Sequence, residues 1–306
     1  MDSSTPTEVT FPGTVLPMRA RAPASSANLG PGFDTLAIAL DLYVEVEVTP
    51  ADRLQVRVEG EGRDLPTDHS HLAARVAMDV AGTEKLAITV RSQIPVARGL
   101  GSSAALTVAA AAAAGAADPL AVAAAVEGHP ENAAASVLGG LVTATMLGPR
   151  PFAAPLMLDP ELAFVILVPD APLPTSKARQ ALSASVSHHD AAFNLGRLGM
   201  LLAGLADHHV LMREATEDRL HQTARTPLFP ESATLLDELV DGGALASCWS
   251  GAGPSLLGVC TQGRASQVRD HGARALAESG VPGRALLLRA DLVGLVVDGE
   301  PIATLA

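Results

Sequence analysis

Aromatic residues are scarce in this chain: one Trp, one Tyr and six Phe among 306 residues, 3% in all. A core with so few rings must be filled by Leu, Val, Ile and Ala, so its helices and sheets must approach closely. Cysteine is scarcer still. Cys248 and Cys260 stand twelve positions apart with no Cys-x-x-Cys or His pairing around them, which argues against a disulfide framework or a zinc site and reads as two small buried hydrophobes in a reducing compartment. Positive charge is in deficit, with 21 Lys and Arg against 33 Asp and Glu, a net charge of −12. Nowhere do cations gather into a patch. Nucleic acid is therefore not an expected partner, because phosphate neutralisation needs clustered cations and single-strand binding needs stacking rings as well.

The segment Met1 to Thr10 is polar and has no basic stretch leading into an apolar one, so no signal peptide is expected and the expected localisation is cytoplasmic. The nineteen residues from Gly99 to Ala117 carry no charge, which is only just the length of a membrane span. They hold three glycines, two serines and a threonine among many alanines. This composition predicts a buried helix of high intrinsic propensity, with no membrane partner. With 48% hydrophobic and 18% charged residues the chain is globular in composition, and its length leaves room for two domains.

Tyr43 to Val48 alternates apolar with acidic residues and Leu54 to Val58 alternates again, predicting two half-buried antiparallel strands joined at Pro50-Ala51-Asp52. Leu72 to Val80 has a helical period and Leu86 to Val90 reads as a strand. The alanine-rich helix ends at Gly115, and Asp118-Pro119 is the N-cap and first-turn pair of a helix that runs through Val126 to Gly128. A strand is expected over Gly140 to Met146. The breakers Gly148-Pro149-Arg150-Pro151 then place a domain boundary between about 147 and 160, giving domains 15–152 and 153–306. A strand over Ala163 to Val168, helices near Thr175 to Ala184 and Ala191 to Leu205, and strands over Ala285 to Leu288 and Leu292 to Val297 complete the reading. Strand-helix-strand units do not recur regularly, which favours α+β layers.

The sharpest local signal is Pro95-Val96-Ala97-Arg98-Gly99-Leu100-Gly101-Ser102-Ser103-Ala104-Ala105, between a strand and the alanine helix. Glycines permit positive φ and close approach of a ligand, while the helix start offers unpaired N–H groups and positive dipole, so the segment suits an anion such as phosphate. A plain N-capped helix after a Gly turn would give a similar string. The pattern Gly-x-x-x-x-Gly-Lys-Ser/Thr is absent. Gly99-x-Gly101-x-x-Ala104 fits a loose dinucleotide fingerprint, but Pro95 separates strand from glycines and the nearest acid, Asp118, is a helix cap.

This loop resembles the phosphate loop of the GHMP kinase superfamily. Three further segments resemble its homoserine kinases: Pro23-Ala-Ser-Ser-Ala-Asn28-Leu-Gly-Pro-Gly-Phe-Asp34, Glu127-Gly-His129-Pro-Glu-Asn132 and Ser250-Gly-Ala-Gly-Pro-Ser255. The resemblance spans about 18 to 300. It implies a two-domain GHMP kinase fold, with an N-terminal mixed α/β domain holding a nucleotide site of left-handed-crossover type and a C-terminal ferredoxin-like α+β domain. It also implies a homoserine kinase activity that consumes ATP with Mg2+ and makes O-phospho-L-homoserine for threonine biosynthesis. Self-association into a homodimer is compatible with it.

By the same resemblance, residues 95–105 bind ATP, Ser103 ligates Mg2+, and the Gly251-Ala-Gly253 turn packs beside the loop. Asp34 pairs the substrate ammonium with Asn28 alongside. Arg179 and Arg225 clamp its carboxylate, a task suited to the bidentate guanidinium. His129 lies against the substrate and Asn132 on its reacting hydroxyl. Thr175 falls at an active-site position, which a helix N-cap would also explain. No general base is implied. The family's usual metal-binding Glu, eight residues before the motif His, is Ala121 here, so Glu127 or Asp118 must substitute, or Ser103 must act with ATP phosphates and water. A non-catalytic relative and a nicotinamide-dependent oxidoreductase are the competing readings.

Overall fold

The computed structural model describes residues 18–302; residues 15–17 and 303–306 of the expected domains lie outside them. Strands β1 (Met18–Asn28), β2 (Gly32–Pro50), β3 (Gln55–Gly60) and β4 (Leu86–Ser92) form the first sheet with β5 (Leu141–Leu147), β6 (Arg150–Leu156), β11 (Val296–Val297) and β12 (Glu300–Pro301). Its order is β12-β11-β1-β2-β4-β3, with β5 paired to β2 and β6 to β5. The long β2 serves two neighbours on one edge: residues 44–50 pair with β4, and 36–38 with β5.

The expected hairpin between β2 and β3 does not form. Helix α1 (Leu72–Ala81) carries the chain over, so that β4 pairs β2 antiparallel and β3 parallel. The alternation fixed correctly which residues face inward, Val44, Val46 and Val48 being buried, but a face does not name a partner. Arg91 on β4 lies between Glu45 of β2 and Glu59 of β3, filling the outer face of that insertion.

Helix α2 (Ser102–Ala113) lies on this sheet against β1 and β2, flanked by α1, α3 (Pro119–Glu127) and α4 (Glu131–Leu138). Nine of its twelve residues are buried, and its small side chains give the close helix-sheet packing that an aromatic-poor core demands. The Asp118 carboxylate accepts the Ala121 N–H at 2.9 Å, Pro119 opens α3 and Gly128 closes it in the left-handed conformation.

The second sheet contains β7 (Leu162–Pro169), β8 (Ala246–Trp249), β9 (Leu256–Thr261) and β10 (Gly283–Leu288) in the order β10-β7-β9-β8, all antiparallel. With α5 (Thr175–Gln180), α6 (His188–Ala206), α7 (Gln222–Arg225) and α8 (Ser232–Asp241) between β7 and β8, and α9 (Ala265–Glu278) before β10, this is the ferredoxin-like arrangement. Gly148-Pro149 turns the β5–β6 hairpin, so the first sheet continues to Leu156, and the chain end returns to β1. Of the strand expected over Leu292 to Val297 only the last two residues pair. The Asp291 carboxylate captures the N–H groups of Val293 and Gly294 and holds the rest in a turn. Cys248 and Cys260 are buried and unpaired. No helix among the described residues is long and apolar enough to cross a membrane.

Candidate active site

Three glycine-bearing turns meet between the two sheets. Gly101, at φ +64°, is the N-cap of α2. The first intrahelical bond runs from Ala105 N–H to Gly101 O, which leaves the amides of the first turn directed out of the helix. The Ser250–Gly253 turn lies against this loop: Ser250 Oγ donates to Gly99 O at 2.7 Å, and a Cβ on Gly99 would come within 2.2 Å of Ser250 O. The Asn28–Asp34 turn completes the triangle, Asn28 Nδ2 donating to Gly251 O at 2.8 Å and its Oδ1 accepting the Asp34 N–H at 3.0 Å.

These turns enclose a narrow cleft of about 100 Å³ lined by Asn28, Asp34, Ala97–Ala104, Glu127, His129, Glu131, Asn132, Thr175, Arg179, Arg225, Gly251 and Ala252. Most of the expected site residues are therefore brought together. Pro95, Val96 and Ala105 do not line it, and the Arg98 guanidinium is bound to the carbonyls of Val96, Pro169 and Asp170. Arg98 thus ties the loop to β7 and is not free to meet phosphate. Both ends of the Asn28 amide are also occupied, making it a support for Asp34. Thr175 is the first residue of α5, after Pro174, and caps nothing.

The charges in the cleft are arranged as opposed pairs. The Asp34 carboxylate accepts from both terminal nitrogens of Arg179, at 3.0 and 2.7 Å, and this bonding raises the Arg179 pKa. His129 Nδ1 lies 2.8 Å from Glu131 Oε1. Burial pulls the His129 pKa down, but bonding and attraction to Glu131 outweigh it and leave a net rise. Asn132 Oδ1 accepts from Ser25 Oγ at 2.9 Å and its Nδ2 donates to Glu131 Oε1 at 3.3 Å. Arg225 is buried, and desolvation, followed by repulsion from Arg179, lowers its pKa to about 10.

Ser103 Oγ, in the first turn of α2, donates to Glu127 Oε1 at 2.5 Å. Asp118 is engaged in its cap, so of the two acids considered for the place of the missing Glu, only Glu127 faces the serine. An adjoining apolar chamber of about 360 Å³ shares Ala97, Ser102, Ser103 and Thr175 with the cleft and is walled by Val44, Val90, Leu106 and His71 among others. His71 is buried, its Nδ1 has no partner, and burial lowers its pKa. The His208-His209 pair comes within 4.8 Å of Asp207, but Asp207 caps that turn and none of the three lines the cleft.

Sequence reasoning missed Ser25, Phe33 and His221. The Phe33 ring stacks on His221 and lies 5.7 and 5.8 Å from the Arg179 and Arg225 guanidinium carbons. Ser25 and Phe33 lie inside the Pro23–Asp34 segment without having been singled out there, and the His221-x-x-x-Arg225 spacing, which aligns two polar side chains on one helical turn, is the signal that could have found the third.

Residues 69–140 match the GHMP kinases N terminal domain and residues 191–278 the GHMP kinases C terminal domain. A helix opened by a glycine turn on a mixed sheet, joined to a ferredoxin-like half across a charged cleft, is thus the architecture of a GHMP kinase. The homoserine kinase of Rhodococcus erythropolis is 42% identical over 274 residues, covering 81% of this chain and 87% of that enzyme. That of Thermus thermophilus is 41% identical over 283 residues, covering 88% and 95%. A crystal structure of homoserine kinase from Cytophaga hutchinsonii superposes with a TM-score of 0.80 at 26% identity, over 94% of this chain and 99% of that one. The chain belongs to the homoserine kinase family of the GHMP kinases. The nicotinamide reading of Gly99-x-Gly101-x-x-Ala104 falls with this result, since the preceding strand lies in no doubly wound parallel sheet.

Proposed function

We propose that this chain is a cytoplasmic enzyme transferring the γ-phosphate of ATP to the hydroxyl of L-homoserine, giving O-phospho-L-homoserine and ADP for threonine biosynthesis. One observation carries the reading: a carboxylate, Asp34, and two guanidinium groups, Arg179 and Arg225, face one small cleft at the open end of α2. That arrangement suits a zwitterion held beside a polyphosphate. The substrate ammonium takes Asp34 and its carboxylate takes Arg179 and Arg225, leaving the hydroxyl toward Asn132. The amides of Ser102, Ser103 and Ala104 and the dipole of α2 receive the phosphates. The base occupies the apolar chamber, where a neutral His71 offers its unpartnered nitrogen to the heterocycle edge.

Ser103 and Glu127 supply adjacent hard oxygen donors, the chemistry that Mg2+ requires, and so fit the metal. Bound there with ATP, Mg2+ would neutralise charge on the transferring phosphoryl group. The side chains do the rest by alignment. The new bond joins the homoserine oxygen to γ-phosphorus, the bond from γ-phosphorus to the bridging oxygen breaks, ADP departs and the hydroxyl proton passes to solvent. A loose transition state demands positioning and charge stabilisation more than a strong base, and His129, its protonated form favoured by Glu131, places positive charge nearby.

The test is ADP release by the purified chain with homoserine, threonine, serine, mevalonate and galactose as acceptors. Turnover that depends on homoserine is expected. Its absence, with nucleotide binding retained, would make the chain a non-catalytic relative and overturn the proposal.

A further inference from the structure

His221 does not line the cleft, yet it is fully buried between two groups that have a role in the proposed reaction, Arg225 and the Asn28–Asp34 turn. Its Nε2 lies 2.7 Å from Gly30 O, in the turn between β1 and β2 that carries Asn28 and Asp34. Its Nδ1 lies 2.9 Å from Arg225 Nη1. A carbonyl only accepts and a guanidinium only donates, so the partners fix the neutral tautomer with its proton on Nε2. Burial opposes protonation, lowering the His221 pKa. The ring is held from below by Phe33, stacked at 5.2 Å and 28°. From behind, the Asp218 carboxylate accepts the His221 and Gln222 N–H groups at 2.8 and 2.7 Å.

The consequence for Arg225 is geometric. Nη1 donates to His221 Nδ1 and to Gly251 O at 3.0 Å, and Nε lies 3.4 Å from Ala178 O. Among the described residues Nη2 has no partner, so it alone remains to meet a ligand, and Arg225 cannot offer the two-nitrogen fork expected from sequence. We infer that His221 is a positioning residue, holding Arg225 and the Asn28–Asp34 turn in fixed relation so that Nη2 addresses the substrate carboxylate. This rests on the reading of Arg225 as a carboxylate partner. Without Nδ1 as acceptor, one N–H of a desolvated guanidinium would be orphaned, and the group would turn to satisfy it at the expense of the ligand.

Two amide substitutions separate the functions of the ring nitrogens. His221→Asn sets an oxygen at the Nδ1 place and keeps the acceptor for Arg225. His221→Gln reaches the Nε2 place and keeps the donor to Gly30 O. Steady-state kinetics and Tm are measured for both and for His221→Ala. The expected result is that His221→Gln and His221→Ala raise the homoserine KM about tenfold or more with the ATP KM within about twofold, while His221→Asn restores most of the loss. A homoserine KM that tracks Tm across the three variants, with Asn no better than Gln, would show a structural role only and overturn the inference. Nitrogen NMR of the wild-type imidazoles needs no variant to fold: an Nε2–H tautomer at His221 is expected, and an Nδ1–H tautomer or imidazolium at neutral pH would overturn it. Absence of homoserine-dependent ADP release in the wild type would instead strike the substrate reading beneath it.

Discussion

Replacing Arg179 by alanine measures how the cleft exchanges one ion pair for another. In the free protein both terminal nitrogens of Arg179 are bonded to Asp34, so a zwitterion must come between them, its carboxylate replacing Asp34 and its ammonium replacing Arg179. The side chains are 36% and 34% exposed, so solvent screens the pair and breaking it costs at most about 1 kcal/mol. The charged hydrogen bond gained by Arg179 is worth about 1.5–3 kcal/mol. The difference, about 0.5–2 kcal/mol, predicts that Arg179→Ala raises the homoserine KM about 2–30-fold. A coupled ADP-release assay, with each substrate varied at saturation of the other, provides the measurement. The ATP KM should stay within about twofold, because the partner proposed for Arg179 is the substrate carboxylate and not the phosphates. The exchange also predicts that 4-hydroxybutyrate, which lacks the ammonium and leaves Asp34 without a partner, is a poor acceptor for the wild type. Parallel rises in both KM values, or a homoserine KM that does not move, would refute the exchange.

Glu127→Gln should raise the Mg2+ concentration needed for half-maximal nucleotide affinity in calorimetry, whereas Asp118→Asn should change Tm and leave that concentration alone; equal effects would remove Glu127 from the metal site. Gly99→Ala places a Cβ against Ser250 O at a φ of +73°, a conformation that costs a non-glycine residue about 1–2 kcal/mol before any clash. It should lower Tm and weaken ATP binding together. The His129 pKa is raised, so its charge is complete below the ordinary imidazole range near 6.5 and is lost as pH rises through a higher value. Activity should fall along that alkaline limb, and His129→Gln should abolish the limb in a pH-rate profile; an unchanged profile would show that another group titrates.

Local chemistry was legible in the sequence wherever neighbours in the chain decide it. Asp118-Pro119 and Gly128 bracket α3 because caps act within one turn, and the charge-free alanine tract could only be a buried helix. Partnerships across distance were not legible. The alternation in Leu54 to Val58 set a face but could not reveal that β4 would be inserted next to β2. Asp34 and Arg179 lie 145 positions apart, and each was read as waiting for substrate when they hold each other. Arg98, in a loop whose glycines and helix start suit an anion, suggested a phosphate contact. Three carbonyls claimed it instead, those of Val96, of Pro169 at the end of β7 and of Asp170 just beyond it. Ser25 and Phe33 stood inside the Pro23–Asp34 motif but had no distinguishing chemistry of their own, since their importance comes from what folds against them.

The pairing of β11 with β1 has a consequence for how the polypeptide is made. Arg21 meets Val296, and Tyr43 Oη donates to Asp291 at 2.8 Å, so the rim of the first sheet is sealed by residues more than 240 positions further along the chain. Until β11 has been synthesised and docks, β1 presents a bare ladder edge open to unwanted pairing. Removing β11 and β12 should thus injure the sheet that carries α2, far along the sequence from the cut.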